Sequence, residues 1–230
     1  MASLFSAPAR CFFCGRGLFG RYCVSALGVP FCEAHQDIAA CRFCGAPADA
    51  AEPTAELCAF CVRDAVLTRT DSAREIPGIR DEMHRLDLRL NVPVRVRLAD
   101  RAQMAQRGGH QNTAGLTEYV ADHVVSITIV KGLVRRQFGA TVVHECMHAW
   151  LVQNAFPPLS DRICEGLCQA MAYRYLREHR GEPRAKLLME RLRDDPDPIY
   201  GDGFRMIRDS AVKNGFSTVV DTVRRTGRVA

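Results

Sequence analysis

The chain has 230 residues, 47% of them hydrophobic and 25% charged; that is enough apolar material for one ordinary domain with a small module beside it, and it excludes a disordered chain. No apolar run reaches the length of a membrane span, and the opening MASLFSAPAR lacks a basic n-region and a sustained apolar h-region, so a cytoplasmic protein with no membrane attachment is expected. The net charge of +5 does not point to nucleic acid, because residues 1–65 hold five Arg against six acidic residues, whereas a zinc module that grips phosphate is clearly basic.

Eight of the eleven cysteines lie between Cys11 and Cys61. In a reducing compartment such density points to metal rather than disulfides. CFFC at 11–14, CEAH at 32–35, CRFC at 41–44 and CAFC at 58–61 each leave two residues between ligands, the spacing that lets one tight turn present two donors to a tetrahedral zinc. In chain order the two sites are Cys11, Cys14, Cys32, His35 and Cys41, Cys44, Cys58, Cys61. This series resembles a LIM domain, although the five residues between His35 and Cys41 exceed the usual LIM spacing, and a crossed pairing fits the same pattern. Cys23 is left over as an alternative to Cys32. So short a module buries little core, and metal binding supplies its folding free energy. Closed structural zinc is expected, with the module's surface left for a protein partner or activator. The composition changes near residues 62–70, which sets the domains at 1–65 and 66–230.

Residues 74–90 carry Ile79, Met83, Leu86 and Leu90 at helical spacing. VPVRVRL at 92–98 alternates apolar residues with arginine and reads as a half-buried strand; GGHQNT at 108–113 is a loop; HVVSITIV at 123–130 is a second strand, placed at a sheet edge. Residues 136–155 lack proline and form a long helix through HECMHAW. His144 and His148 stand about 40° apart around such a helix, so their rings reach one ion. Glu145, on the flank, reaches a metal-bound water as general base. The flanking Val142, Val143, Cys146, Met147, Ala149 and Trp150 are uncharged, and burying two histidines and a glutamate among them without a metal would cost several kcal/mol.

A catalytic zinc needs a third protein ligand and an open position. NAFPPLS ends the long helix, Ser160 caps the next, and Glu165 lies in its second turn beside Ile163, Leu167 and Ala170. Glu178, the other candidate, sits among Arg177, His179 and Arg180 as a surface residue would. Glu165 completes a His, His, Glu set of gluzincin type. The order helix, strand, strand, long helix matches the upper lobe of zinc-dependent peptidases, whose edge strand pairs with an extended substrate. The expected architecture is α+β: a small LIM-like double-zinc module, then a mainly helical zincin-like (gluzincin) metallopeptidase domain with a small sheet.

HECMHAW, LSDRICEGLCQAMAYRYL and PIYGDGFRMIRDSAVKNGFSTVVDTVRRTGR together resemble the peptidase domain of the DA-one-type family, plant ubiquitin-activated organ-size regulators and their bacterial relatives. The resemblance covers almost the whole chain, and the EGxCQ and YGDGFR segments are more specific than HExxH. It implies a zinc endopeptidase acting on protein substrates, with His144 and His148 as ligands and Glu145 as base, one catalytic zinc beside two structural ones. Where plant members have two adjacent glutamates before the glycine, this chain has Cys164 and Glu165. No acidic ubiquitin-interacting helix stands ahead of Cys11, so activation by ubiquitin is not carried over. Gln169 replaces the Asp that many gluzincins place four residues after the ligand Glu, and is expected to orient a ligand imidazole through its carbonyl. Tyr200 is the candidate donor to the oxyanion, ahead of Tyr173; Arg205 is read as holding the chain terminus by a salt bridge. The rival reading is a zinc-rich protein-binding adaptor with a latent or inactive peptidase domain.

Overall fold

The computed structural model describes residues 9–48, 56–108, 113–120 and 123–229. The opening octapeptide and most of the GGHQNT loop lie outside the described residues. The chain divides into two compact units, Met1–Ala65 and Val66–Ala230.

The first unit is built on turns. Cys11 to Gly15 and Cys41 to Gly45 fold alike: the Gly15 and Gly45 amides donate to the Cys11 and Cys41 carbonyls at 2.8 Å in each case. Both glycines take positive φ, +75° and +77°, which a side chain would strain. Strands β1 (Cys23–Val24) and β2 (Pro30–Phe31) form an antiparallel pair, and α1 (Ala59–Val62) carries the last cysteine. Its core mixes cysteines with carbon side chains: Cys11 packs with Leu18 and Phe31, while Cys41, Cys44, Cys58 and Cys61 are buried along with Phe43 and Leu57.

At the start of the second unit, after β3 (Ala65–Val66), helix α2 (Arg69–Arg85) begins earlier than its apolar spacing predicts. Thr68 and Asp71 form a capping box there, and the helix stops before Asp87, whose φ is 62°. Strand β4 (Arg95–Ala99) leads to α3 (Arg101–Gln106), β5 (Gly115–Val120), β6 (His123–Val130) and the short β7 (Leu133–Val134). The sheet order is β4-β6-β5, with β6 parallel to β4 and antiparallel to β5.

This corrects the expected edge position of residues 123–130. That strand is central, with β4 and β5 at the edges. Ile127 and Ile129 face the core, and Ser126 and Thr128, which alternate with them along the strand, are also buried. They are satisfied by Glu118 of β5, whose Oε2 accepts from Ser126 at 2.5 Å and Thr128 at 3.2 Å, with Arg107 at 2.7 Å on the other oxygen.

Five helices follow: α4 (Arg135–Gln153), α5 (Asp161–Glu178), α6 (Pro183–Asp194), α7 (Tyr200–Asn214) and α8 (Phe216–Thr226). Helix α4 packs on β5 and β6 and is crossed by α5, which in turn packs on α7. At Gly166 and Gly203 the backbones of α5 and α7 approach without a side chain between them. A Cβ on Gly166 would lie 2.5 Å from the Gly203 carbonyl oxygen, so only glycine allows this approach. The fold is α+β, half helical with small sheets. Among the described residues no helix is long and apolar enough to cross a membrane.

Candidate metal centre

Three groups of side chains converge as metal ligands do. In the first unit, Cys11, Cys14, Cys32 and His35 form one cluster and Cys41, Cys44, Cys58 and Cys61 another, the chain-order grouping rather than the crossed one. Thiolates at about 2.3 Å from a tetrahedral zinc stand about 3.8 Å apart, and a thiolate and an imidazole about 3.5 Å. The sulfurs of Cys14 and Cys32 are 3.8 Å apart, those of Cys44 and Cys58 3.7 Å, and Cys11 Sγ lies 3.5 Å from His35 Nδ1. Cys23 stays outside, its sulfur taking the Gln36 side-chain amide at 2.8 Å. The chemistry and spacing of both clusters suit zinc.

The third group is in the second unit. Helix α4 is largely buried, through Val142, Val143, Cys146, Met147 and Ala149 among others, so the polar groups it carries inward need partners. His144 and His148, one turn apart, bring their Nε2 atoms to 3.2 Å. Glu165 arrives from α5, with Oε2 3.1 Å from His144 Nε2 and 3.5 Å from His148 Nε2. Nitrogen and oxygen ligands at about 2.0–2.2 Å from one tetrahedral ion stand about 3.3–3.6 Å apart, so this triangle has nearly the dimensions of three ligands sharing a metal. Glu165 Oε2 is buried and makes no hydrogen bond despite that proximity, an orphan that a bound cation would satisfy.

Burial opposes charge on both partners, and each acts against that effect on the other. Burial would raise the Glu165 pKa, but His144 and His148 bring it down to about 2. Burial would lower that of His148, but Cys164 and Glu165 lift it to about 10.

Cys168 also lies within 4.8 Å of both histidines. Glu165 is the better placed of the two, since its Oε2 sits at ligand spacing, 3.1 and 3.5 Å from the two imidazole nitrogens. Glu178 is exposed at the end of α5, away from this cluster.

Glu145 is buried, with 6% exposed. Its Oε2 accepts from Thr117 Oγ1 at 2.7 Å, and the same hydroxyl lies 3.1 Å from its backbone carbonyl. Gly115, two residues earlier on β5, makes room for the carboxylate: a Cβ there would meet Oε1 at 2.5 Å and Thr141 Cγ2 at 2.8 Å. Edge strand β5 therefore supplies both the hydroxyl that fixes the acid and the gap it occupies. Neither was foreseen from sequence.

Tyr200, at the first residue of α7, lays its ring almost parallel to that of His144, 25° between planes and 6.4 Å between centroids. Burial and the nearby Glu165 and Glu145 push its pKa up to about 12, so it remains a phenol able to donate. Tyr119 of β5 is shifted upward by burial and by Cys164, Cys168, Glu145 and Glu165, a second phenol near these charges. Tyr173 instead packs against Phe204, ring centroids 5.0 Å apart. Arg205 does not hold the chain terminus. It donates to the carbonyls of Arg193 and Asp195 and to Asp202, fastening the connection between α6 and α7. The expected role of Gln169 is also corrected: Gln169 lines the cleft, and the sulfur of Cys164 is the group at His148 Nδ1, 3.5 Å away.

A cleft of about 620 Å³ runs from Gly115 past Glu145 and His144 to Tyr200, floored by Ala140, Ala172 and Leu176 and walled by Leu188 and Leu192 of α6. It can hold an extended chain beside the candidate base.

A family model for DA1-like proteins matches residues 95–186, which include His144, Glu145, His148 and Glu165. Residues 95–186 belong to the DA1-like family. Protein DA1 of Arabidopsis thaliana is 30% identical over 132 residues, covering 46% of this chain and 25% of its own length. Protein DA1-related 1 of the same plant is 29% identical over 134 residues, covering 45% and 24%, and the LIM domain-containing protein HDR3 of Oryza sativa subsp. japonica is 24% identical over 139 residues, covering 45% and 28%. The chain thus spans about a quarter of the length of these curated relatives. No solved structure matches it. The DA1-like segment ends before Tyr200 and Gly203, so the α7 side of the site lies beyond the matched residues.

Proposed function

We propose that the chain is a zinc-dependent endopeptidase of gluzincin type that hydrolyses peptide bonds in protein substrates, with a LIM-like double-zinc module ahead of a zincin-like catalytic domain in a cytoplasmic setting. The observation that carries this reading is the triangle of His144, His148 and Glu165, 3.1–3.5 Å on a side, with Glu165 Oε2 buried and lacking a hydrogen bond. These three residues would hold the catalytic zinc, and the two cysteine-rich clusters one structural zinc each. Bound zinc supplies a Lewis acid for the scissile carbonyl and lowers the pKa of a water to about 7. Glu145, whose carboxylate accepts from the Thr117 hydroxyl, would take a proton from the attacking water and pass it to the departing amine. Tyr200 donates its phenolic hydrogen to the oxyanion that develops on the substrate. The free edge of β5 pairs with the substrate backbone along the cleft.

The test is cleavage of an unfolded protein, alone and with candidate activators, by wild type, Glu145→Gln and Glu165→Gln, with zinc content followed in parallel. Glu145→Gln should keep its zinc and lose about 10²- to 10⁴-fold in rate, the usual size of a general-base contribution. Glu165→Gln should lose the zinc itself. Equal cleavage by wild type and Glu145→Gln refutes the role of the base. Cleavage by none of the proteins under any condition, with partner binding intact, favours a zinc-rich adaptor whose module and latent peptidase domain only bind proteins.

A further inference from the structure

Two consecutive residues of α5 meet the two ring nitrogens of His148. Glu165 Oε2 lies 3.5 Å from Nε2, and Cys164 Sγ lies 3.5 Å from Nδ1. Neighbouring helical residues point about 100° apart, so one pass of α5 beside the ring brings a carboxylate to one nitrogen and a sulfur to the other.

The second contact has a chemical purpose if the first is a shared metal site. An imidazole that gives Nε2 to a metal carries its proton on Nδ1, and the acceptor for that proton fixes both the tautomer and the orientation of the ring. In most metal sites the acceptor is a carboxylate, a backbone carbonyl or water. Here it is a half-buried sulfur. That sulfur is not itself at ligand position, since it faces Nδ1 while the His144, His148 and Glu165 ligand atoms gather on the Nε2 side.

We propose that Cys164 is the positioning residue of the metal centre, its sulfur accepting the Nδ1 proton of His148 and holding Nε2 toward the ion. This rests on the proposed assignment of His148 as a ligand. Sulfur is a weak acceptor, so the grip is looser than a carboxylate's and improves when a carboxylate replaces it. A residue kept at this place only for packing behaves in the opposite way: valine is tolerated and a charge is not.

The experiment is zinc titration of the full chain against a chromophoric chelator, with the equivalent lost in His144→Ala identifying the site. Cys164→Val, close in volume but without an acceptor, should bind that equivalent about 10-fold more weakly, the lower end of the 10- to 100-fold range for such partners. Cys164→Asp should bind it as tightly as wild type or more so. Cys164→Ser keeps an acceptor in a smaller side chain; it should retain more affinity than Cys164→Ala, and this pair reads the same contrast should Cys164→Val not fold. Wild-type affinity in Cys164→Val, or equal weakening by valine and aspartate, overturns the proposal. If His144→Ala loses no zinc at all, the metal reading itself falls, and the role of Cys164 with it.

Discussion

Gly166→Ala tests whether the crossing of α5 and α7 sets the geometry of the metal centre. The added Cβ would lie 2.5 Å from the Gly203 carbonyl oxygen, 2.6 Å from its carbon and 3.0 Å from Ile207 Cγ1. Ordinary contacts of this kind need about 3.5 Å, so the helices must part by about 1 Å. The first two atoms are helical backbone and cannot turn aside. Overpacking of this sort costs about 1–3 kcal/mol, offset by the roughly 1 kcal/mol that alanine gains over glycine in a helix. The net loss, about 0–2 kcal/mol, lowers Tm by up to about 8 °C in a unit of this size. The site should suffer more than the fold. Helix α5 carries Cys164 and Glu165, α7 begins at Tyr200, and metal–ligand distances tolerate only about 0.2 Å. Zinc titration and thermal melts of the full chain should show the equivalent that His144→Ala removes weakened, while zinc binding at the two cysteine-rich clusters is unchanged. A variant with a raised Tm and unchanged zinc affinity would show that the crossing has slack, and would refute the reasoning.

Elemental analysis of protein reconstituted with zinc should give three ions per chain, and His144→Ala should give two; a saturated wild-type value of two or fewer rejects the count. Cys41→Ser should unfold the first unit locally, because it removes one of the four buried sulfurs that cluster with Cys44, Cys58 and Cys61, and leave α4 and α5 protected against hydrogen exchange. Equal loss of protection in both regions would show that the two units fold together.

The metal-ligand candidates were legible because their signals are local. A CxxC turn and an i, i+4 histidine pair each occupy a few residues, and one helical period places His144 and His148 on the same side. Glu165 was legible for a related reason, as a carboxylate set among Ile163, Leu167 and Ala170. Gly166 and Gly203 were visible only as parts of two specific segments. Their purpose is a contact between backbones 37 residues apart in sequence, and nothing local to either glycine announces it.

Strand β5 was hidden for a different physical reason. Its sequence, GLTEYV, opens on glycine, carries glutamate in the middle and does not alternate apolar with polar residues. Each departure serves a neighbour. Glu118 satisfies Ser126 and Thr128 on the central strand, which allowed β6 to pass for an edge with one polar face. Thr117 is buried to hold the Glu145 carboxylate, and Gly115 is small because Glu145 and Thr141 already occupy the space where its side chain would stand. The residues that make this strand unreadable by pattern are therefore those that position the candidate base. An apolar residue at 117 would suit the burial of that position and strip Glu145 of its hydroxyl partner. Reading the strand correctly requires knowing which helix lies beneath it, and that is information the strand does not contain.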